Sequence, residues 1–325
     1  MTRPILVGFD PRTTDRAPVR LGVLLARLTG ARLIVAAAQK GHGPRAIAMS
    51  HAQALPFAVV QPDEDLVADC APQIEDIRQE LEPHGIPVDC EMLLGTSAAS
   101  ALHEAAEKHG AGLLVVGSSA RAQRGRVLAG STAQRLLAGS PCPVAVAPAG
   151  WEHEEAPRTI GVAYRDTVDG REALRAAFLL ARRAHARLRI VTVVEAGLRA
   201  ALEAEPAQLA GRRGTTVDDV IGEYGLSARK AAQAALDEID PRHDVESDVE
   251  SWVGDPADVL IGITRMVEML VCGSRGYGPL RAVLLGAVSR RIVAEAHCPV
   301  IVVPRGDGSR LELFVDEDAR AGAPA

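Results

Sequence analysis

The chain has 325 residues, 47% of them apolar and 24% charged, with a formal charge of -6. That length exceeds a typical single core and suits two domains, while the acidic balance and aromatics at 3% supply neither a basic field nor stacking platforms for nucleic acid. No apolar run approaches the ~18 residues of a membrane span, so the expectation is a cytoplasmic protein without membrane association.

In chain order, short apolar runs rich in β-branched residues fall near 4–9, 32–38, 87–94, 112–116 and 143–147, and again near 159–164, 187–194, 245–253, 268–272 and 299–303. Segments of helical period separate them, the clearest being Asp218 to Ile239. This alternation predicts an α/β fold of two tandem open parallel five-stranded sheets with flanking helices. The stretches 40–65 and 196–216, rich in Gly, Pro and Ala, read as loops with short helical pieces.

The two sets of strands are a repeat. Leu114-Val-Val-Gly-Ser118 answers Leu270-Val-Cys-Gly-Ser274, and Pro141-Cys-Pro-Val-Ala-Val-Ala-Pro148 answers His297-Cys-Pro-Val-Ile-Val-Val-Pro304, both at an offset of 156 residues. Ile5-Leu-Val-Gly-Phe9 answers Ile160-Gly-Val-Ala-Tyr164 at 155. The implied organisation is one domain over 1–150, a second over 151–306 and an acidic tail over 307–325. Short apolar Val144-Ala-Val-Ala147 and Val300-Ile-Val-Val303 are poor candidates for bare sheet edges, so the two copies are expected to pair through them about a pseudo-twofold axis.

The cysteines number 5 and never form C-x-x-C, so neither a disulfide framework nor a zinc site is signalled. Cys142 and Cys298, each in a Cys-Pro-Val run, read as buried small hydrophobes. The histidines show no metal spacing, and His297 reads as a loop or strand-edge residue.

Ligands of open parallel sheets bind beyond the carboxyl ends of the strands. There the first copy carries Gly117-Ser118-Ser119-Ala120, nine residues, then Gly130-Ser131-Thr132 opening an apolar helix. The second carries Gly273-Ser274-Arg275-Gly276, nine residues, then Gly286-Ala287-Val288-Ser289. Glycines at a strand exit and free N–H groups at a helix start suit phosphate, and the Ser131 and Thr132 hydroxyls add donors. The same pattern also suits a plain turn before a capped helix. Arg121, Arg124 and Arg126 in the first loop either reach phosphates or form a solvated face.

Both copies resemble the universal stress protein family, whose nucleotide-binding members carry G-x2-G-x9-G-[ST] here and an Asp at the end of the first strand. The resemblance implies an adenine nucleotide alpha hydrolase-like, Rossmann-like fold, and ATP, with Mg2+ at its phosphates, as ligand. It also implies pairing through the last strand, giving an intramolecular pseudo-dimer that leaves room for a homodimer. Asp10 then lies beside the adenosine, and Ala38 and Val193 meet the base through backbone groups. Each copy departs once or more. The first has Ala120 for the second glycine, which costs about 1 kcal/mol where the backbone must be left-handed. The second has Ala287 for the hydroxyl residue and Arg165 in place of Asp10, with Asp166 one step on and Ser289 as a partial substitute. The first copy is therefore expected to bind more tightly.

A G-x-G-x-x-G after the first strand and a G-x4-G-K-[ST] loop are both absent, which argues against a dehydrogenase and a P-loop hydrolase. The function expected from the resemblance is an ATP-binding stress-response sensor or regulator without efficient turnover, acting through an unnamed regulatory protein partner. The alternatives are a nucleotide-free scaffold of the same fold and, behind it, a slow ATPase.

Overall fold

The computed structural model describes residues 2–40, 64–204, 215–274 and 285–304. The first copy runs β1 (Ile5–Phe9), α1 (Ala17–Thr29), β2 (Leu33–Lys40), α2 (Glu64–Leu81), β3 (Val88–Gly95), α3 (Ala98–Lys108), β4 (Leu113–Gly117), α4 (Ser131–Gly139) and β5 (Val144–Ala147). The second repeats the order with β6 (Thr159–Ala163), α5 (Val168–Ala184), β7 (Arg187–Glu195), α6 (Ala196–Ala204), α7 (Val217–Ile239), β8 (Ser247–Gly254), α8 (Pro256–Ile263), β9 (Met269–Gly273), α9 (Ala287–Glu295) and β10 (Val300–Val303).

Local chemistry sets the helix ends. α1 begins at the Ala17-Pro18 pair and stops at Gly30, whose φ of 66° is left-handed. Thr167 caps α5 by accepting from the Gly170 N–H at 3.2 Å, and Thr216 with Asp219 closes a capping box on α7. α6 is helical because Leu198 and Leu202 share a face with Val194, Val220 and Ile221. The remaining parts of the two loop-like stretches, 41–63 and 205–214, lie outside the described residues, as does the acidic tail.

Within each copy the strands are parallel, in the orders β3-β2-β1-β4-β5 and β10-β9-β6-β7-β8. The two join through β5 and β10, which pair antiparallel with Ile301 opposite Ala145 and Val302 opposite Val144. Like strands meeting across a twofold axis must run antiparallel, and the outcome is one sheet of ten strands with no bare edge at the seam.

Because side chains alternate along a strand, each face of the sheet buries its own core. Ile5, Val7, Leu33 and Val35 join Leu21 and Leu25 of α1, and the same core continues into Leu174 and Phe178 of α5. On the opposite face Leu6 and Ile34 join Leu102 of α3 and Leu136 of α4, continuing into Leu270, Ile292 and Val300. Both cores cross the seam, so the copies share their interior. A fully buried Val or Ile contributes about 1.5–3 kcal/mol, and the valines of β5 and β10 are all 2% exposed or less.

Candidate functional site

Strand order reverses between β1 and β4 in the first copy and between β6 and β9 in the second, which places a crevice at the carboxyl ends of each pair. Asp10 follows β1 directly, Gly117 ends β4, and α4 starts beyond it. Ala38 follows the last β1 to β2 pair, Phe9 with Ala37, so its carbonyl lies beyond the end of the β1 ladder.

Asp10 is held in a tight turn. Its carboxylate accepts from the Arg12 backbone N–H at 3.0 Å, from Arg12 Nε at 2.9 Å and from Arg12 Nη2 at 2.9 Å. Partial burial pulls the carboxyl upward, but the bonds and charge of Arg12 outweigh it and keep the group below its ordinary value. Gly117 is closely packed: a β-carbon there would stand 3.3 Å from the Pro18 ring at the start of α1. Gly130 caps α4 with no side-chain bond to the first-turn N–H groups. That leaves those donors, with Ser131 and Thr132 opening the helix beside them, without a side-chain cap at the start of α4.

Two first-copy expectations change. Ser118 is a structural residue, since its hydroxyl donates to the Ala147 carbonyl at 2.7 Å and accepts from the Leu128 N–H at 3.2 Å, tying the loop to β5. Ala120 does not carry a left-handed backbone; in this loop that conformation belongs to Gly125, with φ 77°. The alanine penalty therefore falls away. The loop arginines also separate: Arg124 meets Glu152 at 2.7 Å, and the charge of Arg126 acts on His297 of the second copy.

In the second copy the crevice is a cavity of about 580 Å3 floored by Ala163, Val191 and Cys272 and walled by Val193, Leu260 and Ile292. Its volume suits a small organic ligand. Arg165 stands 3.9 Å from Glu195, and Asp166 accepts from Tyr164 Oη at 3.2 Å and Arg171 Nε at 2.9 Å. Burial, reinforced by the Asp166 charge, pushes the Tyr164 phenol up to about 12. Gly273 packs as Gly117 does, its missing β-carbon facing the Asp169 carbonyl oxygen at 2.9 Å. Gly286 caps α9 and Ala287 opens it without a hydroxyl.

Ser289, the expected substitute hydroxyl, lines the cavity but donates to the Gly273 carbonyl at 3.0 Å, so its proton is committed to the strand end. Arg275 and Gly276 lie outside the described residues. Tyr224 of α7, 53% exposed, lines the cavity and was not foreseen, as an isolated aromatic on a helix face carries no motif. Arg12 was legible only as a cation two residues beyond a strand-end Asp.

Cys142 and Cys298 are buried, as read from the Cys-Pro-Val runs. Burial raises the Cys298 thiol strongly and pushes Cys272 up to about 12, the Ser289 hydroxyl partly opposing it. Among the described residues no group of three or more His, Cys, Asp or Glu could hold a metal ion, and no helix is long and apolar enough to cross a membrane.

The universal stress protein family model matches the chain twice, over residues 1–148 and 157–304. A universal stress protein of Mycobacterium tuberculosis is 27% identical over 312 residues, covering 92% of this chain and 99% of the relative. Among solved structures, a functionally unknown protein of Pseudomonas aeruginosa superposes with a TM-score of 0.62 at 15% identity, covering 96% of both chains. A universal stress protein of Archaeoglobus fulgidus gives 0.59 at 17% identity, covering 94% of this chain and 97% of its own. With the family's pattern matched in each half and one relative aligned across nearly the whole length, the chain belongs to the universal stress protein family and carries two of its domains in tandem.

Proposed function

We propose that the protein binds an adenine nucleotide, ATP with Mg2+ at its phosphates, in the first copy, and that it acts as a cytoplasmic stress-response regulator. The observation that carries this reading is the placement of Asp10, the Ala38 carbonyl and the start of α4, which has no side-chain cap, at one strand-end crevice. A carboxylate there suits ribose hydroxyls, and a helix N-terminus that opens on two hydroxyl residues suits phosphates. The second copy has a cavity of about 580 Å3 but fewer hydroxyl donors at its helix start, since Ala287 has no hydroxyl and Ser289 spends its own on Gly273. It is therefore the weaker phosphate site.

Regulation without efficient turnover fits the same chemistry. A general base works best with a pKa near the working pH, whereas Arg12 holds Asp10 below its ordinary value and so makes it a weak base. Binding would instead act on the loop 118–130, whose Val127 and Ala129 N–H groups donate to the Ala296 and Val293 carbonyls of the second copy, and so present an altered surface to a regulatory protein. Mass spectrometry of the purified chain under native conditions tests the reading. Retained ATP, ADP or AMP supports it; a chain that purifies empty and stays empty after incubation with ATP and Mg2+ favours the nucleotide-free scaffold.

A further inference from the structure

The cavity of the second copy, about 580 Å3, is apolar over much of its wall: Val194, Leu198, Leu260 and Ile292 line it, with Tyr224 and Ala228 of α7 along one side. Among the described residues that line it, Asp166, Asp169 and Glu195 carry carboxylates and Arg165 alone carries a cation. The lining is thus acidic, which disfavours a phosphate and favours an ammonium.

Three of these four charges are spent within the protein. Glu195 stands 3.9 Å from Arg165, and Asp166 accepts from Tyr164 Oη at 3.2 Å and from Arg171 Nε at 2.9 Å. Asp169 differs. It is 7% exposed, and among the described residues its carboxylate has no hydrogen-bond or ion-pair partner. An acidic residue in the first turn of a helix suits the helix dipole, which accounts for its charge but not for its burial. The first copy has no counterpart. Where a β-carbon at Gly273 would meet Asp169, one at Gly117 would meet the Pro18 ring, so the carboxylate takes the place of a proline.

A buried carboxylate without a partner, beside apolar walls, matches an ammonium on an apolar body, since a low-dielectric surround strengthens a charge-assisted hydrogen bond. We propose that the second-copy crevice is a site for a small organic amine, its ammonium donating to Asp169 and its body lying against Leu198, Leu260 and Ile292. With a nucleotide in the first copy, equivalent crevices then take ligands of opposite charge. The amine site holds or fails independently of nucleotide binding.

Phenethylamine is the probe, in calorimetric titrations of the full chain accompanied by NMR of the Gly170 and Gly273 amides. It should bind saturably and move both signals. Phenethyl alcohol, its neutral counterpart, should bind about tenfold more weakly or worse, and hydrocinnamate, an anion, more weakly still. Asp169→Asn should weaken the amine about tenfold or more and leave the alcohol unchanged. Ala228→Phe, on the α7 side, should weaken both by filling the cavity. If Asp169→Asn fails to fold, the comparison of amine with alcohol in the wild-type chain decides. No saturable binding of phenethylamine at millimolar concentration, equal binding of the alcohol, or amine binding that Asp169→Asn preserves overturns the proposal. So does amine binding that Asp10→Ala abolishes while the Gly273 signal stays still, which places the amine in the first crevice.

Discussion

Arg12 clasps Asp10 through both carboxylate oxygens, Nε to Oδ1 and Nη2 to Oδ2, each at 2.9 Å. The pair is well exposed, at 79% and 43%, so screening by water limits its contribution to stability to about 1 kcal/mol or less. Its larger consequence is electrostatic. A carboxyl whose folded pKa lies below its ordinary 3.8 stays ionised until the pH falls through that lowered value. Nucleotide affinity that depends on the Asp10 charge should therefore be flat from neutrality down to about pH 5. Calorimetric titrations across that range check it, and a midpoint in the histidine range contradicts it.

Asp10→Ala should weaken nucleotide binding by roughly tenfold to a hundredfold, the range expected when a bond involving a charged group worth about 1.5–3 kcal/mol is lost. Arg165→Ala and Gly276→Val, in the second copy, should leave most of the bound nucleotide in place. The amount retained through purification, read by mass spectrometry, ranks the two sites. Loss with Gly276→Val and retention with Asp10→Ala would reverse the ranking.

Gly117 and Gly273 occupy equivalent positions, but their surroundings differ in stiffness. A β-carbon at Gly273 meets a backbone carbonyl at 2.9 Å, whereas one at Gly117 meets the edge of the Pro18 ring at 3.3 Å. Gly273→Ala should cost about 1–3 kcal/mol and Gly117→Ala less. Thermal unfolding of both variants, with the lower midpoint for Gly273→Ala, tests the difference.

Much of the fold was legible because the buried strands advertise themselves. Met269 to Cys272 is apolar throughout because both faces of β9 are covered, and the same holds for β4 and β10. α6 is one of the short helical pieces expected within 196–216, and its bounds were not legible because it is short and buries one residue, Leu202. At the site, the glycine spacing located the crevice but not the duties of its residues. Ser118 and Ser289 look like phosphate donors in a motif, yet each is bonded to a strand-end carbonyl that comes near only in three dimensions. The same limit hid the bonds from Val127 and Ala129 to α9 and its end, which are backbone contacts with no side-chain signature.

Val302→Asp should break the seam. Val302 is 2% exposed and opposite Val144, so the substitution buries an unpaired charge in the shared core and should cost several kcal/mol. Hydrogen exchange at the amides of Ala145 and Ile301 should accelerate well before the outer strands are affected. Uniform acceleration across the sheet would mean that the seam is not a separable unit.

Cys142, Cys272 and Cys298 should resist alkylation in the folded chain, because burial raises the Cys272 and Cys298 thiols and shields all three. Peptide mapping after iodoacetamide treatment, with Cys90 as the half-buried comparison, checks this. Rapid labelling of Cys298 in native protein would contradict the packing at the foot of β10.

The claim that the strand-end crevice of the first copy holds an adenine nucleotide is tested most directly by calorimetric titration of the full chain with ATP and Mg2+. Saturable heat in the wild-type protein, lost or sharply reduced in Asp10→Ala and in Ser131→Ala with Thr132→Ala, is the expected result. No heat and no thermal shift with millimolar ATP, or heat that both variants preserve in full, would contradict it.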